Sequence, residues 1–151
     1  MCAGLGQQKN KLMKNLFAGL LCILVSWTSE PTATLKVEFT NLKSGKGKLW
    51  IAIIKPGEKF GVGTPGISKI LEVKSKANQI ATFQIEPGRY ALAVYHDLNA
   101  NDVMDKNFVG IPKEPYGFSK DFRPKFSAPS FEDCAFELTA SGKDISVKLT
   151  N

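Results

Sequence analysis

From Leu35 to Leu149 the apolar side chains fall mostly on every second position, a period that suits strands and not helices. Leu35, Val37 and Phe39 alternate with Lys36, Glu38 and Thr40, as a half-buried strand requires. Ala81, Phe83 and Ile85 alternate with Thr82, Gln84 and Glu86. Pro87-Gly88 reads as a tight turn, with proline presetting φ and glycine taking positive φ. Tyr90, Leu92 and Val94 then resume the alternation. Leu49 to Ile54 is apolar throughout, the pattern of a central strand covered on both faces, and Ile70 to Lys74 is a further candidate. Cys134, Phe136 and Leu138, then Ile145, Val147 and Leu149, flank a Ser141-Gly142 turn. No stretch reads as a long helix. The pattern predicts an all-β fold, an antiparallel β-sandwich of about seven strands, immunoglobulin-like or transthyretin-like.

The 151 residues suffice for one domain with its own core. The first thirty read differently. Lys9, Lys11 and Lys14 precede an apolar run from Leu16 to Trp27, and Ser26, Thr28 and Ser29 supply small or polar residues at its end. Basic, then apolar, then small is the order of a secretory signal peptide. The run is too short to cross ~30 Å of hydrocarbon as a helix, so no transmembrane span is expected once it is removed. The expected organisation is a signal peptide at 1–30 and a single domain at 31–151, exported to the periplasm or beyond. Translation from Met13 would leave that signal intact. Cys22 follows Leu21, where a lipidated cysteine wants a small neighbour. Export with cleavage leaves Cys134 as the one cysteine, so the domain is expected to stand without an internal disulfide. From position 31 onward seventeen basic and thirteen acidic residues are scattered along the chain, a net of +4 without a basic stripe. Nucleic acid is therefore not an expected partner.

Two loops interrupt the rhythm. Gly61, Gly63 and Gly66 match the dinucleotide spacing G-x-G-x-x-G, but Pro65 and the strand-like residues beyond deny the helix that motif needs. The second loop runs from Asp97 to Ser130, too long to be filler. It carries Phe108, Tyr116, Phe118, Phe122 and Phe126, which are expected to fold down and cap one end of the sandwich.

Candidate chemistry gathers in that loop. Asp97, Asn99 and Asn101 alternate, and Asp105 follows four residues later, a spacing with which oxygen ligands can wrap calcium. An EF-hand would need glycine where Asp102 stands and glutamate where Phe108 stands. The alternative is a series of turns in which each side chain satisfies loop amides. His96 ends the core-facing row of Tyr90, Leu92 and Val94. With Asp97 and Glu114 it could serve a hydrolase or lyase; otherwise it pins the loop by a hydrogen bond. A single histidine and one remaining cysteine do not make a zinc site. No G-x-S-x-G elbow appears, and Cys134 sits on an apolar face.

The run Pro87-Gly88-x-Tyr90-Ala91 leads into Tyr95-His96-Asp97-x-Asn99-x-Asn101. Asp105, Asn107, Gly110-x-Pro112, Glu114 and Tyr116-Gly117-Phe118-Ser119 follow, and Pro129-x-Phe131, Asp133 and Ala135 close the set. Together these residues resemble the bacterial domain-of-unknown-function family numbered 2141, over about residues 33 to 150. The resemblance implies an exported single-domain β-protein and no assigned activity. It departs at Asp102, where the family favours glycine. The expected function is a non-enzymatic binding or interaction module of the bacterial envelope, its long loop stabilised by calcium or by its own turns. Its partner would be an envelope protein, a peptide or a glycan. His96, Glu114, Tyr116 and Phe118 are the candidate ligand-binding residues, and Asp97, Asn99, Asn101 and Asp105 the candidate calcium ligands. The alternatives are the hydrolase or lyase and a purely structural envelope component.

Overall fold

The alternating rows become strands because one face of each can be buried while the other meets water. The computed structural model describes residues 31–125 and 127–150; the expected signal segment and Phe126 lie outside them. Eight strands form: β1 (Ala33–Thr40), β2 (Lys48–Ile54), β3 (Ile67–Glu72), β4 (Gln79–Ile85), β5 (Gly88–Asp97), β6 (Tyr116–Phe118), β7 (Phe136–Leu138) and β8 (Lys143–Lys148). Three make one sheet in the order β4-β1-β8. The others make a second sheet in the order β3-β2-β5-β6, with β7 also pairing β5. Leu35, Val37 and Phe39 of the first sheet share one buried cluster with Leu49, Ile51, Ile53, Leu92 and Val94 of the second. Alternate residues of β1 are buried, as its sequence pattern requires.

The two sheets are tied at both long edges. Lys69 on β3 donates to the Thr82 carbonyl of β4 at 3.1 Å, and its ammonium lies over the Phe83 ring. At the opposite edge Tyr116 and Thr150 exchange backbone hydrogen bonds of 2.8 and 2.9 Å. These contacts occupy strand edges that would otherwise offer free backbone groups.

Four expectations are corrected. The sandwich is not wholly antiparallel, since β1 pairs β8 in parallel. These strands are neighbours in space but the first and last in sequence, so no hairpin dictates their relative direction. Pro87-Gly88 is no positive-φ turn: Gly88 opens β5, and the chain passes there from one sheet to the other. The Tyr90 hydroxyl steadies that crossing by donating to the Glu86 carbonyl at 2.9 Å. Cys134 belongs to a one-turn helix, α1 (Phe131–Cys134), not a strand. Ser130 and Asp133 form a capping box that starts the turn and carries Cys134 into a second cluster with Ile54, Phe60 and Ala91. The long loop, finally, is broken by β6, by a 3-10 turn at Ser119–Asp121 and by α1. The Ser141-Gly142 turn is as expected, with Gly142 at φ +89° and its N–H donating to the Thr139 carbonyl. Likewise β2 and β3 pair antiparallel across the glycine-rich connection, which excludes the βαβ unit of a dinucleotide site.

Phe39 is fully buried at the centre of the core. Phe39→Ala should cost about 3–5 kcal/mol in urea unfolding, whereas Lys36→Ala, on the outer face of the same strand, should stay within about 0.5 kcal/mol.

Candidate functional site

β5 ends by placing two polar residues out of water. His96 and Asp97 are fully buried, and Glu114, seventeen residues after Asp97, is 3% exposed. A buried carboxylate needs donors, and these two take them from backbone. Asp97 Oδ1 accepts from the Asn101 N–H at 3.2 Å, and Oδ2 from the Asp102 N–H at 2.8 Å. Glu114 Oε1 accepts from the Leu98 N–H at 2.8 Å, and Oε2 from the Asp105 N–H at 3.2 Å. The His96 N–H donates to the Pro115 carbonyl at 2.7 Å. Both ends of the segment Leu98–Pro115 are thereby fastened to β5.

His96 fastens a second segment. Its Nε2 lies 2.8 Å from the Lys46 carbonyl, which can only accept, so the proton is on Nε2. Nδ1 is buried and has no partner among the described residues. Beside it, Gly47 at φ +93° passes so near Asp97 that a Cβ would sit 2.2 Å from the Asp97 carbonyl oxygen. Only glycine fits there.

Within the loop the amide side chains repeat one device. Asn99 Oδ1 accepts from the Asn101 N–H at 3.2 Å, Asn101 Oδ1 from the Val103 N–H at 3.0 Å, and Asn107 Oδ1 from the Val109 N–H at 3.1 Å. These are Asx turns. The Asn99 and Asn101 amide groups both donate to the Asp105 carboxylate, at 2.9 and 3.4 Å. Three of the four expected calcium ligands, Asn99, Asn101 and Asp105, are thus brought together, and the fourth, Asp97, is buried with both oxygens on backbone N–H groups. Among the described residues, no three His, Cys, Asp or Glu side chains are grouped to hold a metal. Asp102 has φ +64°, a conformation that glycine adopts without strain, and its carboxylate meets Lys48 Nζ at 2.6 Å. That hydrogen bond, with nearby acidic charge, raises the Lys48 pKa. Burial pushes the Tyr95 phenol up to about 12, aided by the charges of Asp97, Glu114 and Asp102.

The remaining candidates separate. Tyr116 and Phe118 are half-buried on β6. Tyr116 lies in register with Tyr95, and Phe118 meets Phe60 and Tyr116 edge to face with centroids 5.3 and 5.8 Å apart. His96 shares its face of β5 with Leu92 and Val94, in the core between the sheets, while Tyr116 and Phe118 lie on the outer face of the second sheet, so the four candidates share no single pocket. Burial pushes the Cys134 thiol up to about 11, so it stays protonated and is no nucleophile.

Sequence reasoning missed the outer end of the loop. Phe108, expected to cap the sandwich, is 101% exposed. Among the described residues, five of the eight large apolar residues that are exposed, Leu98, Val103, Phe108, Val109 and Ile111, lie in this one loop. The signal was available: Asn107 and Gly110 bracket Phe108-Val109 as a turn, and a turn directs its central side chains outward.

A family model described as "Uncharacterized protein conserved in bacteria (DUF2141)" matches residues 37–146. Neither the curated proteins nor the solved structures contain a match.

The His96 side chain holds the β1–β2 connection at Lys46 and not, as expected, the long loop, which only its backbone N–H reaches, and it has no open approach. His96→Ala should therefore cost about 1–3 kcal/mol in denaturant unfolding, by leaving the Lys46 carbonyl without its donor. His96→Gln should recover part of the loss. A variant as stable as wild type would contradict this role.

Proposed function

The chain belongs to this bacterial family of uncharacterized proteins, and from that membership we propose an exported, non-enzymatic binding module whose contact surface is the outer end of the loop Leu98–Pro115. One observation carries the reading. The residues that could do chemistry, His96, Asp97 and Glu114, are buried and engaged with backbone, while large apolar residues of the same loop face water. A hydrolase or lyase built on those three would give its substrate no approach. A purely structural component would have no use for a loop that is fixed at its base and apolar at its tip.

The reading includes export, with residues 1–30 as the signal and 31–151 as the working domain. The two packed sheets are read as an immunoglobulin-like or transthyretin-like sandwich, which commonly carries binding loops at one end. Among the described residues no helix is long and apolar enough to cross a membrane.

The contact is tested by placing a photocrosslinking residue at Phe108 and, as a control, at Gln84 on β4. Envelope-fraction protein should carry a mass consistent with cleavage between about residues 26 and 33. Crosslinks should form from position 108 and not from 84. Equal labelling, or none, would remove the loop as contact surface.

Calcium belongs to the same proposal. Asn99 and Asn101 gather at the Asp105 carboxylate through their amide NH2 groups, and calcium there would take Asp105 oxygen and the amide oxygens of Asn99 and Asn101 after those amides turn over, with Asp97 bound to backbone N–H groups behind them. Calcium at 100 times its dissociation constant should stabilise the domain by ~2.7 kcal/mol, and Asp105→Ala should abolish that increment. A melting temperature unchanged at millimolar calcium would leave the Asx turns alone to hold the loop.

A further inference from the structure

The segment Lys106–Lys113 forms a small closed hairpin at the outer end of the loop. Lys106 and Pro112 bridge antiparallel. The Asn107 N–H donates to the Ile111 carbonyl at 2.8 Å, and the Gly110 N–H to the Asn107 carbonyl at 2.9 Å. Asn107 Oδ1 takes the N–H groups of Val109 and Ile111 at 3.1 and 2.9 Å. Residue 112 is proline and has no N–H to satisfy. The turn therefore pairs the N–H groups of Asn107, Val109, Gly110 and Ile111 within itself. From it project Phe108, Val109 and Ile111, at 101%, 60% and 57% exposure. Nothing lies within 4 Å of where a Cβ on Gly110 would be, so the turn is open on that side.

Charge supplies the second observation. Between positions 106 and 113 there are two lysines and no acid. Both lysines are exposed, and neither makes an ion pair among the described residues. Of the neighbouring acids, Asp102 is paired with Lys48, Glu114 is buried against two backbone N–H groups, and Asp105 is half-buried against the Asn99 and Asn101 amides, so the two lysines are the exposed charges of the hairpin itself.

We infer that this hairpin docks on an anionic lipid surface. Phe108, Val109 and Ile111 enter the boundary between headgroups and acyl chains, and Lys106 and Lys113 rest among the phosphates. Three conditions meet here. An apolar tip gains free energy on leaving water. Backbone near hydrocarbon is costly unless its polar groups are paired, and here four N–H groups are paired within the turn while the tip carbonyls stay at the level of the headgroups. Lysines at the rim are attracted to anionic headgroups while their stems follow the apolar boundary. A projecting tip also suits a surface that deforms around it. This inference rests on the reading of the loop as contact surface and adds the identity of what it touches.

The test is co-sedimentation of the envelope-purified protein with vesicles of phosphatidylglycerol and phosphatidylethanolamine, or of phosphatidylcholine alone. All variants share one N-terminus, so differences between them report on the hairpin. Binding should need the anionic vesicles and weaken with salt. Phe108→Ser should lower partitioning roughly tenfold or more, as loss of a buried phenyl group predicts. Lys106→Ala with Lys113→Ala should lower it by a similar factor, about fivefold for each lysine. Val62→Ser, at an exposed apolar residue outside the loop, should change nothing. An environment-sensitive dye on Phe108→Cys should shift to the blue with anionic vesicles, and one on Gln84→Cys should not; buried Cys134 is spared labelling. Absent binding, equal binding to neutral vesicles, or full binding by Phe108→Ser overturns the inference. If vesicle binding fails while position 108 crosslinks to a protein, the contact surface stands and the lipid does not. If both fail, both readings fall.

Discussion

Two carboxylates without water govern the outer half of this molecule. Asp97 is fully buried and Glu114 nearly so, and neither forms an ion pair among the described residues. Burying an unpaired charge is prohibitive unless hydrogen bonds replace its hydration. Here the backbone N–H groups of Leu98, Asn101, Asp102 and Asp105 do so. Bonds to an ionised acceptor are roughly twice as strong as neutral ones. The dependence runs both ways: the acids stay buried only if the loop delivers those donors, and only a few loop paths deliver all four. The left-handed residues Ala100 and Asp102 belong to that path, as does the lysine that holds Asp102.

The sandwich makes this arrangement stiff. β5 pairs β2 along most of its length, and β6 returns the loop to the same strand at Tyr95. The loop therefore leaves and re-enters on neighbouring strands of one sheet. Tyr116, the first residue of β6, also bonds Thr150 beyond β8, so the return point is tied to both sheets. A long segment fixed at such close ends retains little freedom at its base. Its outer end is consequently placed by the core and does not depend on what it touches.

Much of the frame was legible because burial and period coincide. The rows Leu35-Val37-Phe39, Leu49-Ile51-Ile53 and Tyr90-Leu92-Val94 all face the core, and His96 ends its row there as parity requires. Pairing between distant segments was not legible. The direction of β8 against β1 depends on how the sheets close, which no local pattern records. Local chemistry overrode the pattern at Cys134, where the capping box of Ser130 and Asp133 outweighs alternation continued from Phe136. β6 was hidden by its length, since three residues carry no usable period. At the site, the oxygen-bearing residues and both of their uses, calcium or loop amides, were read from spacing, but spacing does not choose between them, because a carboxylate that binds cations and one that binds amides look alike in sequence. Phe108 shows the limit most plainly. Aromatic character argued for burial, and the turn chemistry of Asn107 and Gly110 prevailed.

The hydrogen bonds of the loop follow one rule from base to tip. At each stage a side-chain oxygen does what water would do for a backbone N–H: Asp97 and Glu114 at the sheet, Asn99 and Asn101 midway, Asn107 at the end. At the base the rule is required by burial. At the tip nothing covers the chain, and water could satisfy those amides without help. Turns on an exposed surface commonly leave this to solvent. Internal satisfaction at the tip has its largest effect when solvent is excluded there. A hairpin that pairs its own amides, directs a phenyl ring outward and flanks it with two lysines therefore has a backbone suited to leaving water, joined to side chains that gain by doing so.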